Sequence, residues 1–302
     1  MRQLTYYTHA GRFHTDEALG YVIAKAAELC DRYIRLDITD GKALPTDGML
    51  ADIGRDYNWL MFHFDHHQGA ICRLDGSYYA TAGLLWKHYG IEVVSNHIRD
   101  HRPDITTIGN YELATIYFIV EDIFIKGIDA NDADNAYQVT AIGAGGEFNV
   151  YSLPMIVAGL NHTDPYHKTQ AERFETALSI ITISLYSAID TAINKHLASE
   201  KFKSTADFLT AQIVILRESI LWYHIIADHP DVHFVIAPSN HPGSQFSLSA
   251  VPVNNKSRAV KTQIERPDWF TGFIHEGKWI AGANDVETLI KLAEHNLNKT
   301  PI

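Results

Sequence analysis

Along the first third of the chain, short β-type runs alternate with stretches of helical periodicity. Leu4 to Thr8 reads as a strand, and Asp16 to Cys30 as a helix whose apolar face is Ala18, Leu19, Val22, Ile23, Ala26, Ala27 and Leu29. Tyr33 to Asp37, Met49 to Ala51 and Trp59 to Phe64 add further strands, and Thr81 to Tyr89 a helix with Thr81 as its cap. Strands alternating with helices predict an α/β class with a mostly parallel, doubly wound sheet. Glu112 to Asp129 is long and mainly apolar, whereas Asn131 to Asn135 and Gly143 to Gly146 read as loop. From Phe174, apolar positions 178, 181, 185, 188, 189, 192, 193 and 197 keep a 3.6-residue period, the mark of one amphipathic connector helix. Ala206 to Ile226 reads as a second helix through Phe208, Leu209, Ile213, Leu216, Ile220 and Leu221. Strands are expected at Val232 to Ala237 and Phe246 to Val253, a hairpin at Gly272 to Ile280 and a terminal helix at Asp285 to Leu297. The change of domain is placed near residue 200.

A length of 302 residues makes two domains the default. With 46% hydrophobic and 20% charged residues and a mean hydropathy of −0.12, the composition is that of an ordinary globular chain. The net charge of −11 argues against whole-surface attraction to nucleic acid or anionic lipid, so a polyanionic substrate has to be held at a defined site. Cys30 and Cys72 are too few for a disulfide framework and lack CxxC spacing. Both are expected as small buried hydrophobes in a reducing compartment. No secretory signal is read at the N-terminus, and apolar stretches such as Ile180 to Leu185 fall short of the roughly 18 residues of a membrane span, so a cytoplasmic protein without membrane contact is expected.

Histidine changes the picture, with 17 in the chain. Three clusters each follow a predicted strand: His9-x4-His14-x-Asp16, Asp52 in Ala-Asp-Ile-Gly, and Phe64-Asp65-His66-His67-Gln68. In an open α/β sheet the ligand crevice lies outside the carboxyl ends of the strands, which is where these loops converge. Each piece alone has an ordinary reading: a hydrogen-bonded His, Asp16 as a helix cap, Asp52 in a strand-ending turn. Together they are five or more polar groups at one sheet edge, and burying them unpartnered costs several kcal/mol. Neutral imidazole with carboxylate is the donor set of a hard to borderline divalent ion.

The run Thr8-His9-x-Gly11-x-Phe13-His14-x-Asp16-Glu17-Ala18-Leu19, with Asp52-x-Gly54, Phe64-Asp65-His66-His67-Gln68 and Ala82-Gly83-Leu84, resembles the melanocyte-proliferating-gene (Myg) family of the DHH superfamily of metal-dependent phosphoesterases. The match is strong over roughly the first 90 residues. Beyond it, Ile116-Tyr117, Phe124 and Ile128-Asp129-Ala130-x-Asp132 resemble the fourth motif, and Ser257-Arg258, Pro267-x-Trp269 and Ile274-His275 to Gly282 the second-domain signatures. The resemblance implies a DHH-type parallel-sheet catalytic domain with its connector helix (1–200) and a smaller C-terminal α/β substrate-binding domain (201–302). It implies two divalent ions, Mn²⁺ foremost and Mg²⁺ or Zn²⁺ as alternatives. His9, His14, Asp52 and Asp129 would hold one and Asp16, Asp52, His66 and Asp129 the other. Two such ions can share a water and lower its pKa, making the bridged hydroxide the nucleophile. His67 is implied as donor to the scissile phosphate or leaving-group acid, with Asp65 fixing an imidazole tautomer and Glu17 doing likewise.

Two departures stand out. Ala133-Asp134 replaces the family's Asn-Gly, which leaves Asp122 as a competitor of Asp129, and Ala281-Gly282-Ala283 followed by Asn284 replaces Gly-Gly-His. Gly282 and Asn284 are therefore candidate substrate contacts with altered chemistry. Arg258 is a candidate phosphate fork, equally readable as a surface residue beside Lys256. The resemblance implies a metal-dependent phosphodiesterase, specifically a 3′-5′ exonuclease on single-stranded RNA or short oligonucleotides, with Trp269 or Trp279 available to stack a base. The alternatives are a small-molecule phosphatase or pyrophosphatase, which the charge favours, and a metal-binding regulatory module without turnover.

Overall fold

Strand β1 (Leu4–His9), helix α1 (Thr15–Ala26) and strand β2 (Cys30–Leu36) form the first strand–helix–strand unit, with β1 and β2 in parallel register from Leu4↔Cys30 to His9↔Leu36. The computed structural model describes residues 3–37, 43–133, 139–143, 146–162, 169–254 and 259–299. The chain divides into two units, Met1–Ala192 and Ile193–Ile302.

In the first unit, β3 (Met49–Ala51), β4 (Tyr57–Asn58) and β5 (His63–Phe64) complete a five-stranded sheet of order β2-β1-β3-β5-β4. The pairs β1–β2, β1–β3 and β3–β5 are parallel and only the edge pair β4–β5 is antiparallel. The carboxyl ends of β1, β3 and β5 consequently point the same way. The four central residues of β1 are buried, as are positions 15–24 of α1. Helix α2 (Thr81–His101) packs on α1 and runs well past the predicted Tyr89. The apolar segment from Glu112 becomes α3 (Asn110–Val120), a π-helical turn Glu121–Ile125 and α4 (Lys126–Ala133). A hairpin of β6 (Val139–Gly143) and β7 (Gly146–Val150), then α5 (Leu153–Gly159), precede the long helix α6 (Gln170–Thr205).

The division between the units falls inside α6. An 18-residue window of this helix averages a hydropathy of 1.5, so by length and composition α6 could cross a membrane, unlike what the short apolar runs led one to expect. Phe174, Leu178, Ile181, Leu185, Ile189 and Ile193 lie buried at helical spacing, while Ile183 is exposed. That is the one-sided burial of a core helix. Phe174 meets the rings of Phe13 and Tyr33 edge to face.

The second unit holds a six-stranded sheet of order β12-β13-β11-β10-β9-β8. Its strands are β8 (Ala206–Thr210), β9 (Ile213–Leu216), β10 (Phe234–Pro238), β11 (Phe246–Ala250), β12 (Phe273–Ile274) and β13 (Ile280–Ala283). Only β9–β10 is parallel. Period-two alternation splits the core in two. Phe234 and Ile236 join Ile213, Leu248, and Leu289 and Leu292 of α7 (Val286–Leu297); Val235 and Ala237 join Val214, Leu216, and Ala198 and Phe202 of α6. The sheet is thus sandwiched between helices. The helix expected over Ala206 to Ile226 is instead β8 and β9. The β-branched run Ile213-Val214-Ile215 favours a strand, and the Thr210 hydroxyl accepts from the amides of Gln212 and Ile213 to make the turn. Cys30 is buried as expected, but Cys72 is exposed.

One buried group in the first unit carries a pH signature. His97 of α2 sets Nε2 3.1 Å from Asp190 of α6, and its Nδ1 is buried without a partner. Burial, above all, holds its pKa below the ordinary 6.5 despite Asp190. Unfolded chains then take up a proton near pH 6.5 that the folded chain refuses, so stability present above that pH is lost as pH falls. His97→Gln keeps a donor for Asp190 and cannot charge. Its melting temperature should drop less than the wild type's between pH 7.5 and 5.5; an equal drop in both proteins would rule out His97 as the source.

Candidate metal centre

The parallel register of β1, β3 and β5 delivers three loops to one edge of the first sheet. His9 ends β1, Asp52 follows β3, and Asp65-His66-His67 follow β5. Asp52 adopts a left-handed backbone at φ 58°, with Gly54 at φ 97° and Arg55 at φ 51° behind it. Asp is among the few side chains that tolerate this region, and its conformation turns the carboxylate back over the strand ends. Asp52 Oδ2 lies 3.3 Å from His9 Nε2, and Oδ1 lies 3.5 Å from His66 Nε2 and 3.4 Å from His67 Nδ1.

Helix α1 begins with His14 as its N-cap, and Glu17 at the third helical position accepts the His14 amide through both oxygens, at 2.8 and 2.9 Å. Asp16 does not cap its own helix. Its Oδ2 and Oδ1 accept the amides of Thr81 and Ala82 at 3.0 and 2.7 Å, so it caps α2. Thr81 itself is the first helical residue and Ala80 the N-cap, without a side-chain bond of its own. Asp129 serves the next amide, accepting Gly83 N–H at 3.0 Å, and pairs with Arg73. A Cβ at position 83 would collide with the Asp129 carboxylate, which is why glycine stands there. Arg73 also binds Glu121 at 2.8 Å and lies 3.9 Å over the Tyr79 ring. Asp129 is therefore fully buried and its lone pairs are spoken for.

The next acidic residue along α4 is differently placed. Asp132 Oδ2 stands 3.0 Å from His66 Nε2, and its Oδ1 3.8 Å from His14 Nδ1. Among the described residues three groups have ligand atoms close enough to share an ion: His9, His14, Glu17 and Asp52; Asp52, His66 and His67; Asp16, His66 and Asp132. Asp52 and His66 link the groups. His9, His14, Asp16, Asp52 and His66 of the expected ligands are thus brought together, whereas Asp129 is in none of the groups and Asp122 is exposed and bound to Lys126 at 2.8 Å. Asp132, part of the fourth-motif run, stands where the resemblance implies Asp129. Its signal was the Asp129-x-x-Asp132 spacing, which puts two carboxylates within one helical turn.

The electrostatics reflect crowded charge. Burial raises Glu17 to about 8, with Asp52 adding to it, and lifts Asp16 well above the ordinary range, with Asp132 and Asp52 adding to it. Burial opposes charge on His9 and His66, yet the Asp52 carboxylate that both face, and for His66 the Asp132 carboxylate also, push them up to about 9 and about 11. Asp52 is held well below the carboxylate range because His66 and His9 outweigh its burial. Asp65 is buried and accepts the His67 amide at 2.9 Å, His67 Nδ1 at 2.7 Å and Arg55 N–H at 2.7 Å, which outweigh burial and keep it ionised. The same bond raises His67, whose side chain is half exposed.

The expected substrate contacts lie in the second unit. Gly282 sits in β13 between Ser247 and Phe273, and a Cβ there would collide with Ser244. Asn284 is exposed in the bend before Asp285, the N-cap of α7. Arg258 falls outside the described residues.

A family model described as the uncharacterised protein family UPF0160 (MYG1_exonuc) matches residues 5–271. The MYG1 protein YER156C of Saccharomyces cerevisiae is 23% identical over 96% of this chain and 94% of its own. The MYG1 exonuclease of Mus musculus is 22% identical over 97% and 85%, and the MYG1 protein C694.04c of Schizosaccharomyces pombe 30% identical over 58% and 54%. Among solved structures, a pGpG-specific phosphodiesterase from Vibrio aligns over 99% of this chain and 98% of its own at 14% identity, with a TM-score of 0.32.

Proposed function

The chain belongs to the UPF0160 family, that of the MYG1 exonucleases, and on that premise we propose that this hydrolase is a metal-dependent phosphodiesterase trimming single-stranded RNA or short oligonucleotides from the 3′ end. The observation that carries the metal reading is the centre of the cluster, where Asp52 Oδ1 and His66 Nε2 are buried without a well-formed hydrogen bond although Asp52 Oδ1 and Asp132 Oδ2 stand 3.5 and 3.0 Å from His66 Nε2. Burying polar atoms without good hydrogen bonds is costly, and a divalent ion held by these side chains would offset that cost. The donor set fits: imidazole and carboxylate without thiolate suit Mn²⁺, Mg²⁺ or Zn²⁺. His9, His14 and Asp52 would hold one ion and Asp16, His66 and Asp132 a second, with Asp52 shared. Asp132, and not the Arg73-bound Asp129, completes the second set.

A divalent ion held here would supply Lewis acidity, lowering the pKa of water and offsetting charge on a phosphoryl oxygen. The protein does the rest. Two α2 amides hold Asp16 in place, and Glu17 fixes the α1 entry on which His14 stands. Asp65 binds His67 Nδ1, which leaves Nε2 of this half-exposed ring to meet substrate. By favouring the imidazolium, Asp65 readies His67 to give a proton to the departing 3′ oxygen.

A single panel tests the reading: purified protein with Mn²⁺ against labelled single-stranded RNA, single-stranded DNA, dinucleotides and pyrophosphate. Mn²⁺-dependent release of nucleoside monophosphates from the RNA 3′ end is expected. Hydrolysis of pyrophosphate alone would replace the exonuclease by a small-molecule phosphatase, and metal uptake with no turnover on any substrate would make the protein a regulatory module.

A further inference from the structure

The second unit carries a hollow of about 500 Å³ whose walls are aromatic: Trp222, Tyr223, His275 and Trp279. Tyr223 and Trp279 are 46% and 45% exposed, so both rings keep surface open to the hollow they line. Pro252 and Val260 add apolar surface, Ser249 a hydroxyl, and none of the described lining residues carries a carboxylate, ammonium or guanidinium. An uncharged flat ring suits such a site; a bare phosphate or carboxylate does not.

The platform is pre-formed. The turn from His275 to Trp279 is closed by His275 N–H to Ile280 O at 3.0 Å and Lys278 N–H to His275 O at 2.8 Å, with Lys278 left-handed at φ 56°. Trp279 folds across this turn, its ring centroid 4.8 Å from that of His275. A Cβ on Gly277 would stand 2.8 Å from Trp279 Cδ1 and 3.0 Å from its Nε1, so only glycine lets the indole lie there. His275 Nδ1 accepts the Gly277 amide at 2.9 Å. The neutral ring therefore carries its hydrogen on Nε2, which leaves a donor for an acceptor on a ring edge.

We propose that this hollow is a nucleobase-binding subsite, in which Trp279 and Tyr223 stack one base of an oligonucleotide and His275 and Ser249 meet its polar edge. The choice of a base as occupant rests on the phosphodiesterase reading above. Stacking of a base on one aromatic side chain is strong enough to be read as about a tenfold change in affinity.

The test uses the full chain without metal, so that nothing is hydrolysed. Binding is measured for adenosine, for a short single-stranded RNA and for an abasic ribose-phosphate oligomer of equal length, with wild type, Trp279→Ala and Trp279→Phe. Trp279→Ala should weaken adenosine and the RNA about tenfold, leave the abasic oligomer unchanged, and be largely restored by Trp279→Phe. Tyr223→Ala, also at a half-exposed ring, should act the same way and guards against local misfolding at one position. Equal weakening of both oligomers, or unchanged RNA and adenosine binding, would overturn the subsite. Assays with Mn²⁺ separate the two readings. Base-selective binding without any phosphodiester hydrolysis would sink the exonuclease and leave the subsite, while hydrolysis indifferent to both variants, in KM as in rate, would do the reverse.

Discussion

Asp52→Asn should lower phosphodiester turnover by about three orders of magnitude or more while leaving the fold intact. The substitution removes one negative charge and almost no volume. Its backbone at φ 58° is one that Asn adopts at least as readily as Asp, so no new strain arises at the strand end. What disappears is the negative charge that His9 and His66 face, at 3.3 and 3.5 Å, and one of the two carboxylate oxygens able to ligate a cation. Metal stoichiometry should fall in parallel, since Asp52 stands in two of the three ligand groupings. Turnover at saturating Mn²⁺, bound metal and circular dichroism measured on the same preparation decide the matter. Near wild-type turnover would exclude a metal mechanism built on this residue.

The second large effect separates two carboxylates three positions apart on one helix. Asp129→Ala leaves the buried Arg73 guanidinium with Glu121 as its one carboxylate beside the Tyr78 carbonyl, and removes an acceptor from the Gly83 amide. Breaking a buried pair costs about 3–5 kcal/mol, which for a unit of this size lowers the melting temperature by roughly 10 °C. Asp132→Asn should do the opposite. Its side chain is 19% exposed and crowded by Asp16, so stability should hold or rise, while activity falls at least about a hundredfold through loss of a ligand. Thermal melts and turnover for both variants give a crossed pattern. A stable Asp129 variant that loses metal, beside an active Asp132 variant, would return the ligand role to Asp129.

These two residues also mark the limit of what the sequence made legible. The first three clusters could be read because each sits within a few residues of a strand end, and strand ends in a parallel sheet converge whatever the details of packing. The choice between Asp129 and Asp132 depends instead on Arg73, 56 positions from Asp129, whose claim on that carboxylate leaves no periodic trace. The same holds for α2: Thr81 looked like its cap, but the carboxylate that serves its amide arrives from α1. In the second unit, Phe208, Leu209, Ile213 and Leu216 satisfy helical spacing as well as they satisfy two short strands, and only the sandwiching of Ile213 and Val214 on opposite faces resolves the ambiguity. The connector helix was unambiguous, because a stripe kept over several turns has no strand equivalent.

The N-terminus of α2 has a consequence for the order of folding. Its first amides are met by Asp16 and Asp129, which lie 65 and 46 positions away along the chain from the residues they serve. A peptide spanning α2 alone therefore starts with bare amides, and the helix gains its end only once α1 and α4 have docked on it. Those contacts close long loops, the slow part of a folding reaction. The cradle for metal is thus assembled by the same non-local event that completes the helix, so the chain acquires its chemistry at the moment this part of the fold locks and not before.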